Sequence, residues 1–366
     1  MKYSEKDLVR VAKRENNVKR NYLVVDPLQG KHIPVSPAKA LELFTSLADK
    51  IRGKYQDERL LLIGFAETAT AIGAQVAVSL GTMYIQTTRE IISDVGYLFF
   101  SEEHSHAAEQ KLVKDDIDEA LKHTDRIVFV EDEVTTGKTI LNIISVMRKE
   151  YRNDIKFAVL SILNGMSEEH RKIYEEKAID LHYLVKTDHS KYGDIADSFA
   201  GDGEYIDCSC KTAGESVVLS VPGRMNARRL VEAREYEAAC QRLFEEIIAG
   251  FSPRAEDKIL VVGTEEFMYP ALFVAARMEK LGYQVKFHAT TRSPIIVSQE
   301  EQYPLHARYE LCSLYDSDRK TFLYDIGTYG KVLVVTDADI LDDKGMNSLL
   351  YALRVKNKDI TVVRWC

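Results

Sequence analysis

The stretch Arg126-Ile-Val-Phe-Val-Glu-Asp-Glu-Val-Thr-Thr-Gly-Lys-Thr139 decides the fold. It begins as an apolar run that ends in two acids, Glu131 and Asp132, and passes through a polar turn. From Thr139 to Lys149 the apolar residues Ile140, Ile143, Ile144 and Met147 recur at helical spacing, so the pattern predicts strand, loop and helix in succession. A second unit of this kind lies earlier, where Leu60-Leu-Leu-Ile-Gly64 runs into Phe65-Ala-Glu-Thr-Ala-Thr70 and a helical stretch to Leu80. Strands alternating with helices predict an α/β protein with mostly parallel central sheets flanked by helices.

The pattern then restarts. Lys258-Ile-Leu-Val-Val-Gly263 is followed by Thr264-Glu-Glu-Phe-Met-Tyr-Pro270 and a helix to Leu281. Thr87-Thr-Arg89 begins 23 residues after Gly64, and Thr290-Thr-Arg292 begins 27 after Gly263. Lys331-Val-Leu-Val-Val-Thr-Asp337, with a helix near Asn347 to Leu353, matches the strand at Arg126 to Asp132. Arg89 to Glu131 is 42 residues and Arg292 to Thr336 is 44. Three landmarks in one order at nearly equal spacing point to internal duplication, hence tandem domains.

At 366 residues the chain exceeds one ordinary hydrophobic core, which also predicts two domains. We place the first at 1–200, a linker with a strand (Ser216 to Val221) and a charged helix (about Asn226 to Ala249) at 201–250, and the second at 251–366. With 45% hydrophobic and 29% charged residues the composition is globular. The net charge of -8 argues against a broad nucleic-acid surface. No stretch approaches the roughly 18 apolar residues of a membrane span, and Met1 to Arg20 lacks the apolar run of a signal peptide, which reads as cytoplasmic. Five cysteines, with only Cys208 and Cys210 close together, argue against a disulfide framework.

The chemistry concentrates at Glu131 to Thr139. Free N–H groups and Thr hydroxyls at a helix start bind phosphate, and Thr135, Thr136, Gly137, Lys138 and Thr139 would form that cradle. Adjacent carboxylates at a strand end need donors or cations, and ribose hydroxyls with a nearby Mg²⁺ would supply both. A nucleotide-hydrolysing P-loop, the third reading, fails at one position, because the glycine it requires five residues before Gly137 is Asp132.

These residues resemble the PRPP-binding motif (PRPP, phosphoribosyl pyrophosphate) of class I phosphoribosyltransferases, with Glu131-Asp132 and Thr136-Gly-Lys-Thr139 similar to purine-salvage members. The wider chain resembles the phosphoribosyltransferases of bacterial tellurite-resistance and stress gene clusters, which carry a C-terminal domain named for a Thr-Arg-Ser-Pro motif, here Thr291 to Pro294. Gln29-Gly-Lys-His-Ile-Pro34, Gly64-Phe-Ala-Glu-Thr68, Thr87-Thr-Arg89, Glu102-Glu-His-Ser-His-Ala107 and Gly263-Thr-Glu-Glu-Phe-Met268 carry the likeness.

The resemblance implies transfer of ribose 5-phosphate from PRPP to a nitrogen nucleophile, with Mg and release of pyrophosphate, toward an unusual nucleotide or nucleoside-like product. It implies that Ala66, Glu67 and Thr68 meet pyrophosphate, that Arg89 neutralises its charge, and that Glu90 to Gln110 closes over the substrate, bringing in His104 and His106. Those histidines would otherwise face solvent or bind a metal, for which the sequence offers no third ligand. Purine-salvage enzymes place an Asp where this chain has Thr135, which removes the usual base and puts purine salvage in question. The second half replaces the cradle with Asp337-Ala-Asp-Ile-Leu-Asp-Asp343, so its Glu265, Glu266, Thr291, Arg292 and Ser293 would bind the acceptor, recognise a partner, close over the first site or serve as scaffold. Pro222-Gly-Arg-Met-Asn-Ala-Arg-Arg229 sets three arginines around an expected helix start, suited to an anion or to solvent. The competing expectation is a PRPP-sensing regulatory or interaction protein without turnover. A homodimer and partners from a stress-response gene cluster are compatible with either.

Overall fold

The computed structural model describes residues 2–17, 20–100, 110–152, 154–214, 216–339 and 344–366. The chain opens with α1 (Glu5–Leu8), β1 (Arg10–Lys13), β2 (Tyr22–Val25) and α2 (Pro37–Ala48). Then come β3 (Leu60–Gly64), α3 (Ala69–Leu80), β4 (Met83–Gln86), β5 (Tyr97–Phe100), β6 (Gln110–Val113) and α4 (Lys114–Ala120). Next are β7 (Arg126–Val134), α5 (Lys138–Glu150), β8 (Lys156–Asn164), α6 (Glu168–Glu176), β9 (Ile179–Lys186) and α7 (Tyr192–Asp197). They are followed by β10 (Glu204–Asp207), β11 (Val217–Val221), β12 (Val231–Glu232), α8 (Ala233–Gly250), β13 (Lys258–Gly263), α9 (Tyr269–Lys280) and β14 (Gln284–Ala289). The chain ends with β15 (Ala307–Cys312), β16 (Lys320–Tyr324), β17 (Lys331–Thr336), α10 (Lys344–Arg354) and β18 (Ile360–Trp365). Among the described residues no helix is long and apolar enough to cross a membrane.

The chain divides into two compact units. The first holds Glu42–Thr187 and Met225–Ala238; the second holds Lys2–Leu41, Asp188–Arg224 and Ala239–Cys366. These groupings cross the boundaries expected near 200 and 250. Residues 2–41 join the second unit because Ala12 and Val25 share an apolar cluster with Ile295, Val297, Leu305, Phe322 and Tyr324. The stretch expected as a linker supplies β10, β11 and β12 to three different sheets.

The first unit is built on a six-stranded sheet of order β12-β4-β3-β7-β8-β9, parallel except for the β12–β4 pair. Leu61 to Gly64 of β3 and Arg126 to Val130 of β7 are all buried, the reason these strands read as unbroken apolar runs rather than alternating ones. α3 lies close on this sheet through two glycines. A Cβ on Gly73 would stand 3.0 Å from Gly64 Cα, and one on Gly64 would stand 2.6 Å from the Tyr84 hydroxyl. On α5 the predicted stripe of Ile140, Ile143, Ile144 and Met147 is the buried face.

From β3 the chain passes through α3 to β4 on one side, and from β7 through α5 to β8 on the other. The strand order therefore reverses between β3 and β7, and at such a point the loops leaving the carboxyl ends part and leave a crevice. Pairing of β3 with β7 stops at Gly64 and Val130, whereas β7 stays paired with β8 to Val134 and Asn164. Glu131 and Asp132 thus lie within the last turn-ward part of β7 rather than after its end, on the stretch that β3 leaves uncovered.

The second unit repeats this plan in a parallel sheet of order β11-β18-β17-β13-β14, whose reversal falls between β13 and β17. The duplication extends to individual hydrogen bonds. Thr87 N–H donates to Gly64 O at 2.9 Å and Thr290 N–H to Gly263 O at 3.0 Å. Thr88 pairs with Lys111 as Thr291 pairs with Phe322, each on the second strand of an antiparallel hairpin, β5–β6 and β15–β16. β10 adds to the latter hairpin alongside β15.

Candidate active site

The turn from β7 to α5 is set by a glycine. Gly137 sits at φ 73°, a left-handed position that a side chain resists, and a Cβ there would collide with the Tyr174 hydroxyl. Gly137 has no side chain to cap α5, whose first turn lies at the positive end of the helix dipole. Thr136 Oγ1 accepts the Lys138 N–H at 3.3 Å. Lys138 is exposed, while Thr135, Thr136 and Thr139 are half-buried. Glu131 and Asp132 are half-buried beside them. Burial, and then the charge of Glu131, holds the Tyr174 hydroxyl protonated, and it donates to Gly137 O at 2.6 Å.

Across the crevice, the turn Ala66-Glu67-Thr68 leaves β3 and enters α3, with Thr68 as the residue before the helix. The Ala66–Glu67 peptide is cis. Ala66 N–H donates to Thr87 Oγ1 at 2.8 Å, and Ala66 O accepts from Gln110 Nε2 at 2.7 Å. Ala66 therefore offers both of its backbone polar groups to the protein, and Glu67 O accepts from the Thr70 N–H at 3.4 Å and from Thr70 Oγ1 at 3.0 Å. Arg89 is half-buried just after the buried Thr87 and Thr88, at the carboxyl side of β4. His104 and His106, with the motif from Glu102 to Ala107, lie outside the described residues. Gln110 was not singled out by sequence; its only signal was a polar residue opening an apolar strand.

In the second unit Glu265, Glu266, Thr291, Arg292 and Ser293 do come together, at the carboxyl end of β13. Their polar groups are directed at one another. The Glu265 carboxylate, fully buried, accepts from Ser313 Oγ at 2.6 Å, Arg319 Nη1 at 3.0 Å and Arg292 Nε at 3.1 Å. Arg292 Nη2 also reaches Glu266 at 2.7 Å. Asp337, at the place of Asp132, accepts from the Tyr315 hydroxyl at 2.7 Å and pairs with Arg224 at 3.4 Å. Ser313, Tyr315 and Arg319 were missed because they reach the site from a hairpin far along the chain. Of the segment Asp337 to Asp343, residues 340–343 lie outside the described residues.

The three arginines at 224–229 do not surround a helix start, since α8 begins at Ala233. Arg224 pairs with Asp337 within the second unit, and Arg229 grips Asp116 at 2.5 and 2.9 Å within the first. In the Gln29 to Pro34 motif, Gln29, Lys31 and His32 are all buried in the second unit, and burial followed by the Lys31 and His288 charges keeps the His32 imidazole well below its usual pKa.

No group of three or more His, Cys, Asp or Glu side chains among the described residues is arranged to hold a metal ion. The adjacent carboxylates Glu131 and Asp132 fit a magnesium ion carried by the phosphates of a substrate, which needs only one or two protein carboxylates.

A family model described as phosphoribosyl transferase matches residues 8–192, and one described as the TRSP domain C-terminal to that transferase matches residues 226–353. No curated protein matches the chain. Among solved structures, adenine phosphoribosyltransferase from Rhodothermus marinus is 12% identical with a TM-score of 0.36, covering 50% of this chain and 96% of that one. The Giardia lamblia enzyme complexed with 9-deazaadenine is 17% identical, TM-score 0.35, covering 50% and 95%. Orotate phosphoribosyltransferase from Aeropyrum pernix is 13% identical, TM-score 0.33, covering 54% and 96%.

Proposed function

Because this chain belongs to the phosphoribosyl transferase family, we propose that its first unit binds PRPP in the crevice between β3 and β7 and transfers ribose 5-phosphate to a nitrogen nucleophile, releasing pyrophosphate. The observation that carries the reading is that two loops leave the carboxyl ends of adjacent strands where strand order reverses: the glycine-started entrance to α5 after β7 and the Glu67–Thr68 turn after β3. In this reading Thr135 to Thr139 hold the 5-phosphate, Glu131 and Asp132 orient the ribose hydroxyls, and Glu67, Thr68 and Arg89 receive the pyrophosphate. Glu131 and Asp132 are the carboxylates that would hold a magnesium ion brought by the phosphates, and such an ion would supply neutralisation of charge on the departing group. Catalysis then rests on positioning and on fixed dipoles facing the leaving group. Thr135 supplies no base, so the reading favours an acceptor whose nitrogen attacks without proton removal at that position.

The test is calorimetric titration of PRPP with Mg²⁺ into the wild type and into Glu131→Ala/Asp132→Ala, followed by an acceptor screen for pyrophosphate release. Binding lost in the double variant supports the site. No binding by the wild type overturns it, and binding without turnover on any nitrogen acceptor favours a PRPP sensor.

A further inference from the structure

The Ala66 turn is clasped by two side chains to which the reading above gives no role. Thr87 Oγ1 accepts the Ala66 N–H at 2.8 Å, Gln110 Nε2 donates to Ala66 O at 2.7 Å, and the Thr87 hydroxyl donates to Gln110 Oε1. Thr87 is fully buried and Gln110 is 3% exposed, so water scarcely competes for these bonds. The orientation of the amide follows from chemistry: a carbonyl oxygen can only accept, so the NH₂ must face Ala66 and the oxygen must face the hydroxyl.

The second unit shows which part of this clasp the scaffold itself requires. Thr290 Oγ1 accepts the Glu265 N–H at 3.0 Å, as Thr87 does for Ala66. The bridges Thr88–Lys111 and Thr291–Phe322 align Gln110 with Thr321, whose hydroxyl turns back to Cys312 O on its own hairpin at 3.5 Å. The threonine is common to both halves. The glutamine appears only in the half whose turn faces a phosphate-binding loop.

We propose that Gln110, acting with Thr87, is a positioning residue that presets the Ala66–Thr68 turn for the pyrophosphate group. This rests on the transferase reading above. With both polar groups of Ala66 engaged, the turn keeps one backbone conformation before ligand arrives, and the ordering cost of meeting an anion is met in folding. The ribose 5-phosphate end, held by residues 135–139, does not depend on the clasp.

The experiment titrates PRPP and pyrophosphate, each with Mg²⁺, and ribose 5-phosphate into the wild type, Gln110→Ala, Thr87→Val and Thr87→Ser. Gln110→Ala and Thr87→Val weaken PRPP and pyrophosphate about tenfold and leave ribose 5-phosphate within about twofold, while Thr87→Ser, which keeps the hydroxyl, stays near wild type. Should Gln110→Ala fail to fold, the Thr87→Val and Thr87→Ser pair carries the same readout. Equal loss of all three ligands marks a merely structural clasp and overturns the proposal, as does undiminished pyrophosphate binding. A wild type that binds none of the three removes the transferase reading itself, which the wild type alone reveals.

Discussion

The hydroxyl of Tyr174, on α6, donates to the carbonyl oxygen of Gly137 at 2.6 Å from a fully buried ring. One helix thereby braces the entrance to another, at the residue whose left-handed backbone turns β7 into α5.

Tyr174→Phe removes that donor but leaves Gly137 O its second partner, the Leu141 N–H at 3.0 Å. The expected cost is about 1 kcal/mol. Gly137→Ala costs more, about 3 kcal/mol, because it combines a resisted φ of 73° with a collision against Tyr174. Urea unfolding checks both, and PRPP titration should show Gly137→Ala as the more damaging to binding.

Gly64→Ala and Gly73→Ala should each destabilise the first unit by about 2 kcal/mol or more, since each added methyl meets Tyr84 or the β3 backbone at 3.0 Å or less. Tyr84→Phe in the Gly64→Ala background removes the nearest atom, the hydroxyl, and should recover part of the loss. A cost in Gly64→Ala below about 0.5 kcal/mol would contradict the close approach of α3 to β3.

In the second unit Arg292 bridges two buried glutamates, Glu265 and Glu266. Arg292→Met should lower stability by about 3 kcal/mol, because it withdraws one cation from two buried carboxylates, of which Glu265 keeps Arg319 at 3.0 Å. Adding Glu266→Gln to Arg292→Met should restore part of it, a coupling that a double-mutant cycle in urea measures.

His182 predicts a pH dependence. Burial first, and the Lys54 charge second, lower its pKa from 6.5 to about 4, and the neutral ring stands 2.7 Å from the Tyr55 hydroxyl. Below its unfolded value of 6.5 the unfolded chain takes up a proton that the folded chain refuses until about 4, so stability falls as pH drops through that window. Its contribution is about 1–2 kcal/mol once solvent screening of this partly exposed ring is allowed for. His182→Gln should flatten the urea midpoint between pH 6.5 and 4 relative to wild type.

The strand, turn and helix around Glu131 to Thr139 were legible in sequence because their parts are contiguous, falling within nine residues. The duplication was legible for the same reason, as the landmarks Gly64, Thr87 and Arg126 recur in order at Gly263, Thr290 and Lys331. The domain boundaries were not. Nothing local in Ala12 or Val25 tells that they pack beside Ile295 and Tyr324. The arginines at 224–229 read as one basic patch, yet their partners Asp337 and Asp116 lie in different units.

The amino-acid order by itself determined which segments become strands and helices, where a polar turn joins β7 to α5 and that the chain repeats, because apolar periodicity and turn residues act over a few neighbours. Only the tertiary structure decided that β3 and β7 are adjacent with their connections leaving in opposite directions, which makes the crevice. It also decided that Gln110 and Thr87, 23 residues apart, share one hydrogen-bonded clasp, and that the second unit fills its equivalent position with its own ion pairs. Those outcomes depend on strand order and on side chains meeting across long sequence separations, where burial rather than local preference selects the partner.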